Sequence, residues 1–179
     1  MRVSAAFALA ALVLSPVQVR AQPACHPISS SVLEPLEGFW NVDWSYRRSP
    51  DNFLETTGTS AITSDLYGCV LTERFTAAID TIPFAAITLF SAPSPTELHR
   101  VTVDSQHGGL IKHDGRVAGD TLVFEWQIEL SNRTLRTRHI FVMSGRDQFT
   151  KEHYLSSAVG QPWELRQRAV YRRIKTTGH

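Results

Sequence analysis

The sequence predicts an all-β protein, built as a single closed antiparallel up-and-down β-barrel of about ten strands, lipocalin-like, with a short N-terminal helix. Short segments rich in β-branched and aromatic residues recur along the chain, separated by turns of Gly, Pro, Asn and Asp. The clearest segment, 121–130, alternates in polarity, and its apolar face consists of Leu122, Phe124, Trp126, Ile128 and Leu130. The final segment, 163–174, is long, and pairing it with the first strand would remove an exposed edge.

The first predicted strand, 38–46, carries three large aromatic residues on one face. Because side chains alternate along a strand, Trp40, Trp44 and Tyr46 point toward one interior, together with Val42. We expect Trp40, next to the preceding segment, to lie at a sealed end of the barrel. Trp44 and Tyr46 lie further along and are expected to line a cavity.

Residues 31–37 predict the short N-terminal helix. Ser30 or Ser31 can cap its first turn, in which Pro35 is tolerated. Leu33 and Leu36 are three residues apart and would share one face of the helix. Such a helix would close one end of the barrel.

Eight more strands are expected between the first and the final one. They are predicted at 54–63, 70–77, 84–90, 98–105, 110–117, 121–130, 135–144 and 149–155. Turn sequences such as Pro50-Asp51-Asn52 and Gly119-Asp120 separate them. Gly58 interrupts the second strand and predicts a bend or bulge there. Since no repeat or linker divides the chain, one domain is expected over 22–179.

The first 21 residues have the pattern of a secretory signal peptide. Arg2 supplies a positive charge, residues 5–14 form an apolar run, and Ala21 ends a cleavage site. A membrane anchor is the alternative, but the run is too short to cross a hydrocarbon layer of about 30 Å. We therefore expect an exported bacterial protein, periplasmic or secreted, with no stable membrane span after cleavage.

Charge and cysteine content narrow the classes of function. Removing Arg2 and Arg20 leaves 16 of the 18 basic residues against 17 acidic ones, and this balance predicts no nucleic-acid or membrane partner. Cys25 and Cys69 are the only cysteines. In an oxidising compartment they are expected to form a disulfide that ties the N-terminal segment to the barrel. The sequence makes no prediction of the oligomeric state.

Several short motifs follow one another in a recognisable order. They are Gly38-Phe39-Trp40, Thr57-Gly58-Thr59-Ser60, the run from Gly68 to Phe75, Val103-Asp104-Ser105, the run from Gly119 to Phe124, and the run from Phe149 to Tyr154. Over roughly residues 33–173, this ordered set resembles a family of bacterial, often exported, lipocalin-like proteins described as a domain of unknown function. It resembles nitrobindin-type haem barrels more distantly. The resemblance implies a calycin-type barrel with a central cavity, and it implies no particular reaction.

The sequence contains no common catalytic motif: no phosphate-binding loop, no Gly-x-Ser-x-Gly, no His-Glu-x-x-His and no Cys-x-x-Cys. The aromatic residues of the predicted strands are therefore the first candidates for a site. Trp44, Tyr46, Phe124 and Trp126 are expected to wall an apolar cavity, in which indole N–H groups orient a ligand. Plain core packing explains the same pattern equally well.

Two histidines are the second candidate set. His139 and His153 lie on strands predicted to form a hairpin, so their side chains are expected to approach each other. Such a pair can bind a metal or act as acid and base, and a single histidine can ligate haem. A hydrogen-bonded or surface histidine is the favoured interpretation, because no ligand-spaced motif is present. No metal site is predicted.

Charged strand residues are the third set. Arg74 and Asp104 are expected to point into the barrel, where they would fix a polar group of a ligand. A structural salt bridge between strands is the somewhat favoured alternative.

Together these features favour an exported binding protein that holds a small, largely apolar molecule in the barrel. No cofactor is predicted. The first alternative is a haem protein with His153 or His139 as the iron ligand. The second is an enzyme that uses His139, His153 or Asp104 inside the barrel, and the third is a structural envelope protein with a filled interior.

Overall fold

A computed structural model describes residues 25, 27–28, 31–131 and 133–175. The signal peptide predicted at 1–21 lies outside these residues. Ten strands make up nearly all of the regular structure: β1 Gly38–Ser49, β2 Asn52–Asp65, β3 Val70–Ile79, β4 Ile82–Ser91, β5 Glu97–Asp104, β6 Ile111–Ala118, β7 Thr121–Leu130, β8 Arg133–Met143, β9 Gln148–Ser156 and β10 Glu164–Arg173. Each strand lies within a few residues of a segment predicted from the sequence.

The strands form one closed antiparallel barrel. Every strand pairs with its neighbours in sequence, and β10 pairs with β1, where Trp40 lies opposite Arg173 and Trp44 opposite Ala169. The predicted up-and-down barrel and the pairing of its first and last strands are therefore confirmed. Closure leaves no free edge, which an open sheet of this length would expose to other chains.

The N-terminal helix was predicted wrongly. Directly before β1 the chain forms the short 3-10 turn Glu34–Leu36, and Glu37 is already extended. One such turn is what the chain needs to bury both Leu33 and Leu36 against the end of the barrel before β1 begins. The indole N–H of Trp40 donates a hydrogen bond of 3.0 Å to the carbonyl of Leu36. The segment thus closes the barrel end, as expected, without forming a helix.

Large apolar side chains fill the half of the barrel next to this turn. They include Trp40, Leu71, Phe90, Leu98, Phe124, Phe141, Phe149 and Tyr171, all essentially without exposure. Trp40 meets the Phe149 ring edge-on, with 4.8 Å between ring centroids, and Phe149 stacks on Tyr171 at 4.2 Å. This filled half confirms Trp40 at a sealed end and forms a floor beneath the other half.

Two glycines are required by close approaches within the sheet. A Cβ atom on Gly58 would lie 2.5 Å from the carbonyl oxygen of Thr76, yet β2 keeps regular pairing at Gly58. The predicted bulge is therefore absent there, and the irregularity in the β1–β2 pairing lies between Arg47 and Ser49 instead. A Cβ on Gly115 would lie 2.5 Å from the Phe124 ring, so this glycine makes room for a core aromatic.

The disulfide expected from the sequence is present. Cys25 and Cys69 are bonded, with their Cα atoms 5.6 Å apart and a sequence separation of 44 residues. Cys69 directly follows the 3-10 turn Leu66–Gly68 that leads into β3. The bond therefore ties the segment before β1 to the end of the barrel that this segment closes.

Candidate functional site

The half of the barrel away from the closed end contains a cavity of about 620 Å³. Most of its wall is apolar and aromatic, contributed by Trp44, Phe75, Ile79, Phe84, Ala86, Leu110, Ile111, Trp126, Ile128, Leu135 and Ala169. The turn between β5 and β6 forms part of its mouth, where Leu110 is largely exposed. A volume of this size is typical of small-molecule sites, which span roughly 300–1,000 Å³.

The aromatic residues around Trp44 pack against one another in the part of the wall between the filled half and the mouth. Trp44 contacts Phe75 edge-on at 5.5 Å and Phe84 at 5.2 Å, measured between ring centroids. Tyr46 packs on Trp44 at 5.4 Å, and its hydroxyl accepts a hydrogen bond from the Asp80 backbone N–H. Fixed rings of this kind present a preformed apolar surface at little entropic cost to a ligand.

A layer of polar side chains separates this apolar wall from the filled half. Strand alternation places Glu73 two residues beyond buried Leu71, and Arg100 two residues beyond buried Leu98. We call the full set the polar layer; it consists of Glu73, Arg100, His113, His139, Lys151 and His153, all of which line the cavity.

Glu73 is anchored through one of its two carboxylate oxygens. Its Oε1 accepts hydrogen bonds from the hydroxyl of Tyr171 at 2.9 Å and from that of Ser60 at 3.1 Å. Burial and the charge of Glu73 raise the pKa of Tyr171 well above its ordinary value, so this phenol remains a donor. The second oxygen, Oε2, is buried and has no hydrogen-bond partner among the described residues.

Arg100 and His113 form a short hydrogen-bonded chain. An N–H of Arg100 Nη1 lies 3.3 Å from His113 Nδ1, and His113 Nε2 lies 3.3 Å from the hydroxyl of Thr137. Burial, reinforced by the charges of Arg100 and Lys151, lowers the pKa of His113 to about 3. A neutral imidazole that accepts from Arg100 at Nδ1 carries its proton on Nε2, which then donates to Thr137.

His139 and His153 meet as the sequence predicted. They are directly opposite each other in the β8–β9 pairing, and their rings stack with centroids 4.4 Å apart. Burial, followed by the charge of Arg100, lowers the pKa of both, that of His153 to about 4. Three buried nitrogens, His139 Nδ1 and both of His153, have no hydrogen-bond partner in the described part of the chain. The stack is therefore a pair of neutral imidazoles with unused hydrogen-bonding capacity.

Asp104 lines the mouth of the cavity rather than its depth. Its Oδ1 accepts hydrogen bonds from the backbone N–H groups of Gln106 and His107, and the His107 ring lies 3.0 Å away. Burial alone would raise the pKa of Asp104, but these hydrogen bonds outweigh it and hold the pKa below its ordinary value. Asp104 therefore fixes the turn that frames the mouth.

The other predicted site residues divide into three groups. Trp44 and Trp126 line the cavity together with His139 and His153. Tyr46 packs against Trp44, and Phe124 is fully buried in the filled half, so neither borders the cavity. Arg74 was predicted to point inward, and this was wrong: it is exposed on the outer surface of β3.

The error at Arg74 comes from the parity of β3. A strand puts neighbouring residues on opposite faces, so choosing Arg74 for the interior places Glu73 outside. The structure has the opposite arrangement, with Glu73 buried. Lys151 and Arg100 were also missed, although the sequence held a signal for both. Lys151 is two residues from His153 and Arg100 is four residues from Asp104, so each shares a strand face with a residue that was predicted to point inward.

Comparisons with known proteins identify the fold alone. No family model matches the chain, and no curated protein matches it. Among solved structures, Rv2717c from M. tuberculosis is similar, with a TM-score of 0.60 and 17% identity over 85% of this chain and 100% of that one. The S-type phycobiliprotein lyase CPES from Guillardia theta is also similar, with a TM-score of 0.52 and 10% identity over 80% of this chain and 91% of that one. These likenesses fit a lipocalin or calycin-like barrel.

Proposed function

We propose that this chain binds a small, largely apolar molecule in the barrel cavity. The observation that carries the proposal is the division of the interior into a filled half and a hollow half of about 620 Å³. A barrel with a purely structural role needs no such space, because packing its interior with side chains stabilises it. The hollow half thus argues against a filled structural barrel.

The apolar wall determines the class of ligand. Rings such as Trp44, Phe84 and Trp126 offer large contact areas to an apolar body and few hydrogen-bonding groups. A ligand that buries apolar surface against them gains about 25 cal/mol for each Å² removed from water. The charged and histidine side chains of the lining belong to the polar layer at the bottom and to the turn at the mouth, and the wall also includes the neutral polar side chains of Thr88, Thr102, Thr137 and Gln167.

A substitution on β4 that places a large side chain in the cavity tests whether the cavity is the binding site. Ala86 lines the cavity, whereas Ala85, its neighbour on β4, is exposed on the outer surface. We expect Ala86→Phe to weaken binding of the neutral fluorophore N-phenyl-1-naphthylamine about tenfold or more, because the new ring occupies the ligand's space. Binding is measured by titration of the fluorophore's emission.

Ala85→Phe is the matched control for this experiment. It adds the same ring to the same strand on the opposite face, and we expect it to leave binding of the fluorophore unchanged. Circular dichroism and thermal unfolding of both variants establish that each is folded. Equal binding by wild type and a folded Ala86→Phe variant would show that the fluorophore binds elsewhere and would contradict the proposal.

A haem group is the second candidate ligand. The position of His153 in the cavity wall favours it, as do its ring nitrogens, which have no partner in the part of the chain that the structure describes. Haem iron is commonly held by a neutral histidine nitrogen. His153 lines the cavity, its pKa is lowered to about 4 mainly by burial, and both of its ring nitrogens lack a partner among the described residues. The residues present therefore fit an iron ligand at this position, flanked by the ring of His139.

Titration with haemin tests this candidate. If His153 ligates the iron, the Soret band of haemin is expected to sharpen and shift on addition of the protein, and His153→Ala is expected to abolish the shift. His99→Ala is the control, because His99 lies on the outer surface beside Asp114. An unchanged spectrum with the wild-type protein would remove haem as a ligand of this chain.

The disulfide is compatible with the predicted export. Bonds such as Cys25–Cys69 persist in oxidising compartments outside the cytoplasm. No helix within the described residues is long and apolar enough to cross a membrane. Cleavage after Ala21 and the final location of the protein stay predictions from the sequence.

A further inference from the structure

The polar layer contains more positive than negative charge. Arg100 and Lys151 are its two cationic side chains, and Glu73 is its one carboxylate. None of the ion pairs within 4.0 Å among the described residues includes Arg100 or Lys151. Removing a cation from water without a partner carries a large desolvation cost. The presence of two such cations inside the barrel therefore has to be explained.

Arg100 lines the cavity and has more hydrogen-bond donors than the described residues use. A guanidinium group carries five N–H donors in a planar fork suited to a carboxylate. In the described structure the side chain makes one hydrogen bond, to His113, while its Nε is fully buried and has no partner. Burial lowers the pKa of Arg100 to about 10, so the group keeps its positive charge at neutral pH.

Lys151 provides the second positive charge from the other side of the layer. Its Nζ lies 5.8 Å from the centroid of the Phe141 ring, which forms part of the floor. The side chain has neither a hydrogen bond nor an ion pair with any described residue. Burial, together with the charge of Arg100, lowers its pKa. An anion bound between Arg100 and Lys151 would offset the desolvation cost of both cations and their mutual repulsion.

Glu73 does not remove this excess. Its Oε1 is taken by the hydroxyls of Ser60 and Tyr171, and neither of its oxygens lies within 4.0 Å of a cationic nitrogen of the described chain. Its charge favours the charged forms of Arg100 and Lys151 from a distance. With both cations protonated, the layer retains a formal charge of one positive unit.

The position of this charge fixes how a ligand would lie. Arg100 is four residues from Asp104 along β5, so the two residues are about 13 Å apart along the strand at 3.3 Å per residue. Between the two levels, the wall includes Trp44, Phe75 and Phe84. The wall between the mouth and the polar layer is therefore mainly apolar, and the polar layer is cationic, which matches a molecule with an apolar body and one anionic end.

We propose that the ligand is an amphipathic carboxylic acid that enters with its carboxylate first and pairs it with Arg100 and Lys151. The apolar body then lies against the aromatic wall and ends near Leu110 at the mouth. This inference rests on the proposed function and adds the chemical class of the ligand to it. His139 and His153, whose ring nitrogens include some without a partner among the described residues, supply further hydrogen-bond donors around the carboxylate.

A matched pair of probes tests the charge separately from the apolar body. Dansyl-undecanoic acid and its methyl ester share the same fluorophore and chain, and only the acid is ionised at neutral pH. We expect the wild-type protein to bind the acid about tenfold or more tightly than the ester, because charge-assisted hydrogen bonds form only with the acid. Arg100→Met and Lys151→Met are each expected to reduce this ratio toward one while ester binding is retained.

Arg74→Met is the control, since Arg74 lies on the outer surface and its loss is expected to leave the ratio unchanged. Equal binding of acid and ester by the wild type would overturn the inference and leave apolar binding intact. Binding of neither probe would overturn both. A ratio retained in folded Arg100→Met and Lys151→Met would overturn the assignment to these residues. If Arg100→Met fails to fold, the wild-type ratio and the Lys151→Met variant decide.

Discussion

Replacing Trp40 by alanine is expected to lower the free energy of unfolding by about 4 kcal/mol, near the upper end for core substitutions. Trp40 is 1% exposed and is among the largest fully buried side chains. Its ring contacts Phe149 and Tyr171, with centroids 4.8 and 6.4 Å away. Alanine would leave a void in a rigid sheet, which cannot collapse around it, and the surrounding rings would lose their contacts.

Two further contacts add to the effect at Trp40. The indole N–H donates to the carbonyl of Leu36 at 3.0 Å, and the guanidinium of Arg173 lies 4.2 Å from the ring centroid. Arg173 also donates to the carbonyls of Glu37 and Pro35. Trp40 thus connects the segment before β1 to the last strand of the barrel, and its loss is expected to loosen the closed end as well as the core.

Urea denaturation of the oxidised protein measures this prediction, with Phe39→Ala as the matched control. Phe39 is the preceding residue on the same strand, but it is 52% exposed on the outer surface. Its truncation is expected to cost less than about 1 kcal/mol, as for most surface substitutions. Similar losses for the two variants would show that the closed end of the barrel is not a tightly packed core.

The sequence was sufficient to predict the barrel because the signals were local and repeated. Regular alternation and turn residues located all ten strands, and the cost of an unpaired edge predicted that the first strand pairs with the last. The prediction of a short helix before β1 was wrong because it too relied on local signals alone. A capped segment of seven residues is locally compatible with a helix, and only the position of the barrel end limits it to the 3-10 turn Glu34–Leu36.

The candidate site was only partly predictable, because alternation gives two faces without saying which one is inside. In β7 and around Trp44 the apolar face decides, and those residues were placed correctly. In β3, however, Thr72, Glu73 and Phe75 are all buried, so polarity alternation is lost and Arg74 was wrongly turned inward. A buried charged group is stabilised by hydrogen-bond partners on other strands, as Glu73 is by the hydroxyl of Tyr171. A local sequence pattern cannot predict such partners.

The stability of this barrel is expected to fall steeply as the pH drops from about 6.5 to about 5, the range in which unfolded histidines titrate. Burial lowers the pKa of His113 to about 3 and that of His153 to about 4, and it lowers that of His139 well below its ordinary value. In this range the unfolded chain takes up protons at all three positions while the folded chain does not. Because the unfolded state binds more protons, acidification favours unfolding.

The size of the effect follows from the number of protons. Each histidine that stays neutral in the fold costs at most about 1.4 kcal/mol per pH unit, so three cost at most about 4 kcal/mol per unit. Asp104 and Glu125 have lowered pKa values and also destabilise the fold on protonation. They contribute only as the pH approaches their unfolded values near about 4, below the range in which the histidines of the unfolded chain titrate.

Urea denaturation at a series of pH values between about 7.5 and 5 measures this slope, and one substitution assigns it. His139→Phe keeps a ring stacked on His153 and removes one titrating group, so the slope is expected to decrease by as much as about 1.4 kcal/mol per pH unit, about a third of the total. His99→Gln, on the outer surface, is expected to keep the steep dependence. A stability independent of pH across this range would mean that the three imidazoles take up protons in the folded barrel at the same pH as in the unfolded chain. The polar layer would then carry several more positive charges than Glu73 can balance, which burial at this depth does not allow.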